Sequence, residues 1–276
     1  MTSASLSLMT GSSPLNLCYP VPQTLAPANI MRVSRNELTA SLKKAFEGLG
    51  FSVGDYEDAA AMVVWSQMHG LNGLQQLQRA LPFLSNCPCL HAKLINDTDQ
   101  QALLDGQQSS VLLCGSQTVR LACAIARQHG SGHVRLDSCH NRKFIIQRLV
   151  SAAQLGTALI AYWVNGSTGV KVMIEPYAKQ PEYQEHQEYS AADITANQSL
   201  FIFAGSDLAS LEQQFSSQFN LGAQLRRFST EAMRNSYQYR LEQGIEIDQQ
   251  FWSELDNLVA RVLVESTDSS RAGAGD

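Results

Sequence analysis

The sequence predicts a mixed α/β fold in which helices from both ends of the chain pack beside a central sheet that is itself covered by helices. Two observations lead to this prediction. Amphipathic helix patterns occur near both ends, and from about residue 110 apolar segments alternate with helical segments in a βαβαβ order. The chain has 276 residues, 44% of them hydrophobic, so it is long enough to bury a core without disulfides or metals.

The first part of the chain divides into an extension and a helical segment. Residues 1–31 contain no Lys, Arg, Asp or Glu, and this composition predicts that they form a disordered extension. Residues 32–100 predict an N-terminal helical segment. Its first helix, over Ser34–Leu49, has the Ser34 and Glu37 pattern of a capping box; a second runs from about Asp55 to Gly70, and leucines at helical spacing over 74–84 predict a third.

Residues 101–206 predict an α/β domain. Its expected elements are a strand at Ser110–Cys114, a helix at Gln117–Arg127, a strand at His133–Leu136, a helix at Phe144–Leu155, a strand at Thr157–Val164, a long polar excursion over Val170–Asn197 and a strand at Ser199–Ala204. Residues 207–265 predict C-terminal helices that pack on the N-terminal segment. These helices start near Asp207, Ser229 and Asp248, and residues 266–276 predict a disordered tail.

Charge and cysteine content exclude several classes of protein. The net charge of −5 provides no basic field for a phosphate backbone, so we expect no nucleic-acid partner. The longest apolar run is far shorter than the ~20 residues that span a bilayer, so we expect no membrane association. The six cysteines suit reduced thiols in a cytoplasmic protein. Cys87 and Cys89 are too close for zinc-ligand spacing, and no metal site is predicted.

Two of the six histidines are candidate catalytic residues. His69 lies at a helix end beside Gly70, and His140 follows the end of a strand, where ligands often bind in sheets covered by helices. Such a pair can transfer a proton near neutral pH, although two loop histidines far apart in space would give the same spacing. Asp105-Gly106 and Gly115 bracket an expected turn, but no G-x-G-x-x-G motif accompanies them.

Three blocks of sequence resemble the malate/L-lactate dehydrogenase family that is unrelated to the Rossmann-fold lactate dehydrogenases. This family also includes ureidoglycolate and sulfolactate dehydrogenases and cyclic-imine reductases. The first block runs from Val33-Ser34 to His69-Gly70 and is similar to the opening helices and S-H-G turn of the family. The second runs from Leu104-Asp105-Gly106 through His140 to Asn165, and the third from Arg240-Leu241 through Gly244-Ile245 to Leu255.

The resemblance implies an active site in which NAD or NADP exchanges hydride with a 2-hydroxy or 2-oxo acid. Carried over, it implies catalytic roles for His69 and His140, although a one-residue shift would place Cys139 at the second position. It further implies cofactor-binding roles for Asp105, Gly106, Gly115 and Asn165, a small carboxylate or imine ligand, and a homodimer.

The chain departs from the family at two points. The family turn continues S-H-G-x-x-R, but Gly73 stands at the position of that arginine, so Arg79 or Arg142 would have to bind the substrate carboxylate instead. Family members are also longer, and the missing part is expected after Asn165. Two hypotheses remain: an NAD(P)-dependent oxidoreductase of a small acid or cyclic imine, or a shortened, non-catalytic homologue that acts as a binding or regulatory subunit.

Overall fold

A computed structural model of the chain describes residues 29–85, 90–188 and 198–262. The helices are α1 Arg35–Gly48, α2 Val53–Met68, α3 Gly73–Leu84, α4 Val111–His129, a short 3₁₀ helix Arg142–Ile145, α5 Ile146–Ala153, α6 Leu208–Gln218, α7 Thr230–Gln243 and α8 Gln249–Val259. The strands are β1 Ile30–Val33, β2 Lys93–Asp97, β3 Gln101–Asp105, β4 Ser131–Asp137, β5 Ala158–Asn165, β6 Thr168–Ile174, β7 Glu182–Gln187, β8 Leu200–Gly205, β9 Gln224–Phe228 and β10 Ile245–Asp248.

A mixed sheet forms the centre of the molecule. Its strand order is β2-β3-β4-β8-β5-β6-β7-β9, and within it only β3 and β4 pair in parallel. Helices α4 and α5 cover one face, and α6 covers the other with Leu211 and Phe215. The predicted mixed α/β fold, with a sheet between helices, is confirmed.

The helical layer joins the two ends of the described chain. Helix α1 begins with the predicted capping box, since Ser34 Oγ accepts the Glu37 N–H and the Glu37 carboxylate accepts the Ser34 N–H. Helix α8 packs on α1, and β1 pairs antiparallel with β10, so that Met31 lies opposite Ile247. Because side-chain caps and periodic apolar residues specify these helices locally, their positions agree with the sequence patterns.

Four expectations were wrong. The helix that begins at Asp207 packs on β5 and β8 of the central sheet rather than on the N-terminal segment, and β9 belongs to the same sheet. Ser110–Cys114 is not a strand, because Ser110 caps α4 and residues 111–115 are helical; an apolar run buried on every side has no periodicity to distinguish the two structures. The first strand of the α/β unit is β3 instead. Residues 170–174 and 182–187, expected to be part of a long polar loop, form most of β6 and all of β7. Residues 30–31, expected to belong to the disordered extension, pair in β1. The division into domains at residues 100 and 206 stays a prediction.

Several expectations concern residues outside the described ranges. These are the disordered state of residues 1–28 and 266–276 and the loop cysteines Cys87 and Cys89. Among the described cysteines, Cys114, Cys123 and Cys139 are free thiols and buried. In the described ranges, no helix is both long and apolar enough to cross a bilayer.

His133 on β4 makes stability depend on pH. Its ring stacks on Phe203 at 4.3 Å, and its Nε2 is buried without a hydrogen-bond partner in the described part of the chain. Burial, and then the charge of Arg135, lower the pKa of His133 to about 4. Because the folded state binds this proton less readily than the unfolded state, its contribution is complete above pH ~6.5 and is lost as the pH falls toward 4.

We expect His133→Phe to reduce the loss of stability between pH 7 and pH 4.5 by about 2 kcal/mol, because phenylalanine keeps the stacking but takes up no proton. Urea unfolding at both pH values measures this difference. The same substitution at His91, whose side chain is 56% exposed, is the control. An unchanged pH dependence in His133→Phe would contradict the assignment.

Candidate functional site

A cleft of about 610 Å³ opens at the edge of the sheet where β4 and β5 end and β8 begins. One wall is the first half of α3, and the opposite wall is the turn between β4 and the 3₁₀ helix. Its lining residues are Asn72, Gln75, Gln76 and Arg79 from α3 and its N-cap; His140, Asn141, Arg142 and Lys143 from the turn; and Val164, Asn165, Gly166 and Gln198 from the strand ends. Small-molecule sites typically have volumes of about 300–1,000 Å³.

Backbone hydrogen bonds fix the turn that carries His140. The His140 N–H donates to the Ser109 carbonyl at 3.0 Å, and the Val111 N–H donates to the His140 carbonyl at 2.9 Å. The turn is therefore attached to the start of α4, one of the best-packed helices of the core. Its geometry is set by two residues in the left-handed region, Ser138 and Asn141, with φ of 54° and 56°.

Left-handed backbone conformations of residues other than glycine concentrate around this cleft. Asn72, Asn141 and Gln198 line it, and Gln108 contacts His140; their φ values lie between 49° and 59°. Side chains disfavour this region, and such strain persists where the surrounding structure enforces it, often at functional sites. The strain therefore marks the cleft as a candidate site independently of its volume.

His140 is held as a neutral ring. Its Nε2 lies 3.0 Å from Gln108 Oε1, and because an amide oxygen only accepts, Nε2 carries the proton and Nδ1 is left as an acceptor. Desolvation of the ring, and then the charge of Arg142, lower the pKa of His140. Near neutral pH the residue is therefore able to accept a proton from a ligand.

Arg142 points its guanidinium at the end of β5. Its Nη2 donates to the Val164 carbonyl at 3.1 Å and to Asn165 Oδ1 at 2.9 Å, whereas its Nη1 is buried and has no hydrogen-bond partner among the described residues. Burial lowers the pKa of the guanidinium, which nevertheless stays charged at any physiological pH. Because Arg142 lines the cleft, its charge favours an anion there.

The cleft is positively charged. Arg79 approaches from α3, and Lys143 lies beside Arg142 with its Nζ 5.2 Å from the centre of the Tyr183 ring. None of the described residues that line the cleft is acidic. Three cations without a lining carboxylate suit a carboxylate or phosphate ligand. Both arginines named as replacements for the family arginine therefore meet in one cleft.

The structure gives His69 different surroundings from those of His140. The His69 ring is buried, with its centre 4.0 Å from the Trp65 ring and 5.1 Å from the Tyr237 ring on α7, and its Nδ1–H donates to the Trp65 carbonyl at 2.8 Å. Burial lowers its pKa. Among the described residues that line the cleft, His69 is absent. Its contacts join α2 to α7, and its predicted catalytic role remains untested.

Of the four predicted cofactor-binding residues, Asn165 lies in the cleft and the other three serve the local fold. The Asp105 carboxylate accepts the Gln107 N–H at 2.9 Å. A Cβ on Gly106 would lie 3.0 Å from two carbonyl oxygens, and one on Gly115 would lie 2.9 Å from Ile145 Cδ1 inside the packing of α4. Cys139, the alternative to His140, is buried with its thiol near backbone carbonyls.

Three polar residues that complete the cleft, Asn72, Gln75 and Gln76, were not predicted. Together with Arg79 they form one stripe of the α3 surface, visible in the sequence as a spacing of three and four residues. Sequence alone, however, does not distinguish a ligand-facing stripe from an ordinary solvated one. The opposite wall becomes apparent only once the β4 turn is seen to face α3.

Of the comparisons with known proteins, those with solved structures support the fold. A family model described as "Protein of unknown function (DUF3726)" matches residues 33–128, from the end of β1 to α4. No curated protein matches the chain. The structure of malate dehydrogenase from Pyrococcus horikoshii OT3 is similar, with a TM-score of 0.63 at 14% identity over 88% of this chain and 99% of that chain.

Two further solved structures extend this likeness. Sulfolactate dehydrogenase from Methanocaldococcus jannaschii has a TM-score of 0.58 at 10% identity over 84% of this chain and 97% of that chain. The Δ1-piperideine-2-carboxylate reductase from Pseudomonas syringae pvar. tomato has a TM-score of 0.54 at 10% identity over 83% of this chain and 99% of that chain. The chain thus has the fold of these dehydrogenases and reductases, and the expected loss of a segment after Asn165 stays a prediction.

Proposed function

We propose that this chain is an NAD- or NADP-dependent oxidoreductase that acts on a small 2-hydroxy or 2-oxo acid, or on a cyclic imine that carries a carboxylate, bound in the α3 cleft. The observation that carries this proposal is the meeting of Arg79, Arg142 and Lys143 with the neutral His140 in one cleft without a described lining carboxylate. The fold supports it, because similar folds occur in proteins named as dehydrogenases and reductases of small acids and imines.

Arg142 binds the carboxylate of the ligand in this proposal. Its Nη2 is committed to Val164 and Asn165, which orients the guanidinium, and its Nη1 is left without a partner in the described structure. The charge of Arg142 attracts a carboxylate in the cleft, where a charge-assisted hydrogen bond is roughly twice as strong as a neutral one. Arg79 supplies a second charge from the opposite wall.

His140 moves the proton. With Nε2–H held by Gln108, the unprotonated Nδ1 accepts the proton of a substrate hydroxyl as its carbon is oxidised, and returns it in the reverse direction. The low pKa of His140 keeps Nδ1 free near pH 7. The ring therefore acts as a base in oxidation and, once protonated, as an acid in reduction.

The donor set of the cleft fits a nicotinamide cofactor. Lys143 would hold its diphosphate, and the side-chain amide of Asn165 would pair with its carboxamide. The chemistry that such a cofactor supplies is hydride transfer. Of the residues first expected to hold it, Asn165 alone lines the cleft within the described structure.

A non-catalytic binding or regulatory subunit is the second candidate. The structural roles of Asp105, Gly106 and Gly115 favour it, because three expected cofactor contacts are used by the fold itself. For either candidate we also propose a homodimer, as the sequence resemblance implies, which light scattering after size-exclusion chromatography tests directly.

The test measures the thermal unfolding midpoint of the full chain with NAD, NADH, NADP or NADPH, each with and without a small acid. A ligand at about 100 times its Kd adds roughly 2.7 kcal/mol, so we expect one dinucleotide to raise the midpoint by several degrees and a 2-oxo acid to oxidise its reduced form. A shift with acids alone would support the binding subunit. No shift with any ligand would contradict both candidates.

A further inference from the structure

The lining of the cleft is unusually rich in side-chain amides. Six of its twelve described residues are asparagine or glutamine, and Val164 provides the one aliphatic side chain among them. Amides come from both walls and from the strand ends, so they surround the space beside Arg142 rather than occupying one side of it. Small-molecule sites are more often lined mainly by apolar side chains with few polar groups.

Several of these amides have no partner among the residues that the structure describes. In the described part of the chain, the side chains of Asn72, Gln75 and Asn141 make no hydrogen bond, and Gln198 Oε1 is buried without one. A ligand that displaced water from these groups without replacing its hydrogen bonds would leave them unsatisfied, which costs binding free energy. An acid with an apolar chain is such a ligand.

We infer that the acid bound in this cleft is polyhydroxylated, with hydroxyl groups along the carbon chain beyond its carboxylate. Each hydroxyl both donates and accepts, so it satisfies either end of an amide. The carboxylate lies on Arg142 and the hydroxylated chain extends along Gln75 and Asn72 on the α3 wall. This inference rests on the proposed acid site and names the class of acid that it takes.

Calorimetric titration of the full chain with D-gluconate, hexanoate and D-glucose tests the inference. Gluconate and hexanoate have the same number of carbons and the same charge, whereas glucose has the hydroxyls without the carboxylate. We expect gluconate to bind at least tenfold more tightly than either, because sites built from hydrogen-bonding groups discriminate strongly against analogues that lack the matching groups.

Two variants on α3 test whether the preference for gluconate over hexanoate arises in the cleft. Gln75→Leu removes a lining amide and should weaken gluconate binding about tenfold while leaving hexanoate binding nearly unchanged. Gln78→Leu makes the same change on α3 at a residue that does not line the cleft and should change neither.

The outcomes separate this inference from the proposed function. If hexanoate binds as tightly as gluconate, or if Gln75→Leu leaves the preference intact, the inference fails and the acid site stands. If glucose binds as tightly as gluconate, the carboxylate is irrelevant and both fail. If no acid binds to a chain whose unfolding midpoint shows it to be folded, both also fail.

Discussion

Replacing Arg142 with glutamine is expected to weaken the binding of a small carboxylate roughly 10- to 100-fold. A hydrogen bond to a charged group contributes about 1.5–3 kcal/mol, and about 1.4 kcal/mol corresponds to a tenfold change in affinity. Glutamine retains one donor near Asn165 but has no charge to attract the carboxylate. Calorimetric titration with gluconate, malate and lactate measures the change.

Two further variants make this result specific to the Arg142 guanidinium. Arg142→Lys keeps the charge but loses the planar fork, so we expect an intermediate loss of affinity. Arg127→Gln removes one positive charge from an exposed position on α4 outside the cleft and should have little effect. Undiminished binding by a folded Arg142→Gln variant would refute the proposed carboxylate site.

Replacing Gly73 with alanine is expected to destabilise the protein by about 3 kcal/mol. A Cβ at this position would lie 2.4 Å from the Val63 carbonyl oxygen and 2.7 Å from the Gln67 nitrogen, and both belong to the backbone of α2. Backbone atoms within a helix cannot move aside as a flexible side chain would, so α3 must shift away from α2. Urea unfolding measures the loss of stability.

Gly54 provides the matched control for this variant. It also lies in a helix, but a Cβ there meets nothing within 4 Å, so Gly54→Ala should stabilise the chain by up to about 1 kcal/mol. If Gly73→Ala were equally harmless, the close approach of α3 to α2 would be wrong. The same approach explains why no arginine occupies position 73, since its side chain has no room.

The helices were predictable where their ends and faces are specified locally. Ser34, Asp207, Ser229 and Asp248 all cap helices as their positions in the sequence indicate. The strands were harder, because β7 is polar and gains its structure from pairing with β6 and β9 rather than from its own residues. Long-range pairing of that kind leaves little local signal.

The candidate site was likewise predictable in part, because some of its residues carry a local sequence signal and others are brought together only by long-range packing. His140 and Asn165 were identified from the sequence resemblance, and the structure brings both into one cleft. Arg79 and Arg142 are 63 residues apart in the chain, and only the packing of α3 opposite the β4 turn makes them neighbours of one ligand. For His69, the sequence suggested a helix end open to a ligand, whereas Trp65 and Tyr237 enclose its ring.

The pairing of β1 with β10 has a consequence for the order in which the chain folds. The ion pair between Arg32 and Glu246 bridges 214 residues, so this small sheet closes a loop that contains the entire central sheet. Closing so long a loop costs entropy before its contacts form, and during synthesis β1 has to wait until β10 leaves the ribosome. Helix α1 therefore acquires its final packing against α8 last, after the sheet that carries the cleft has had time to form.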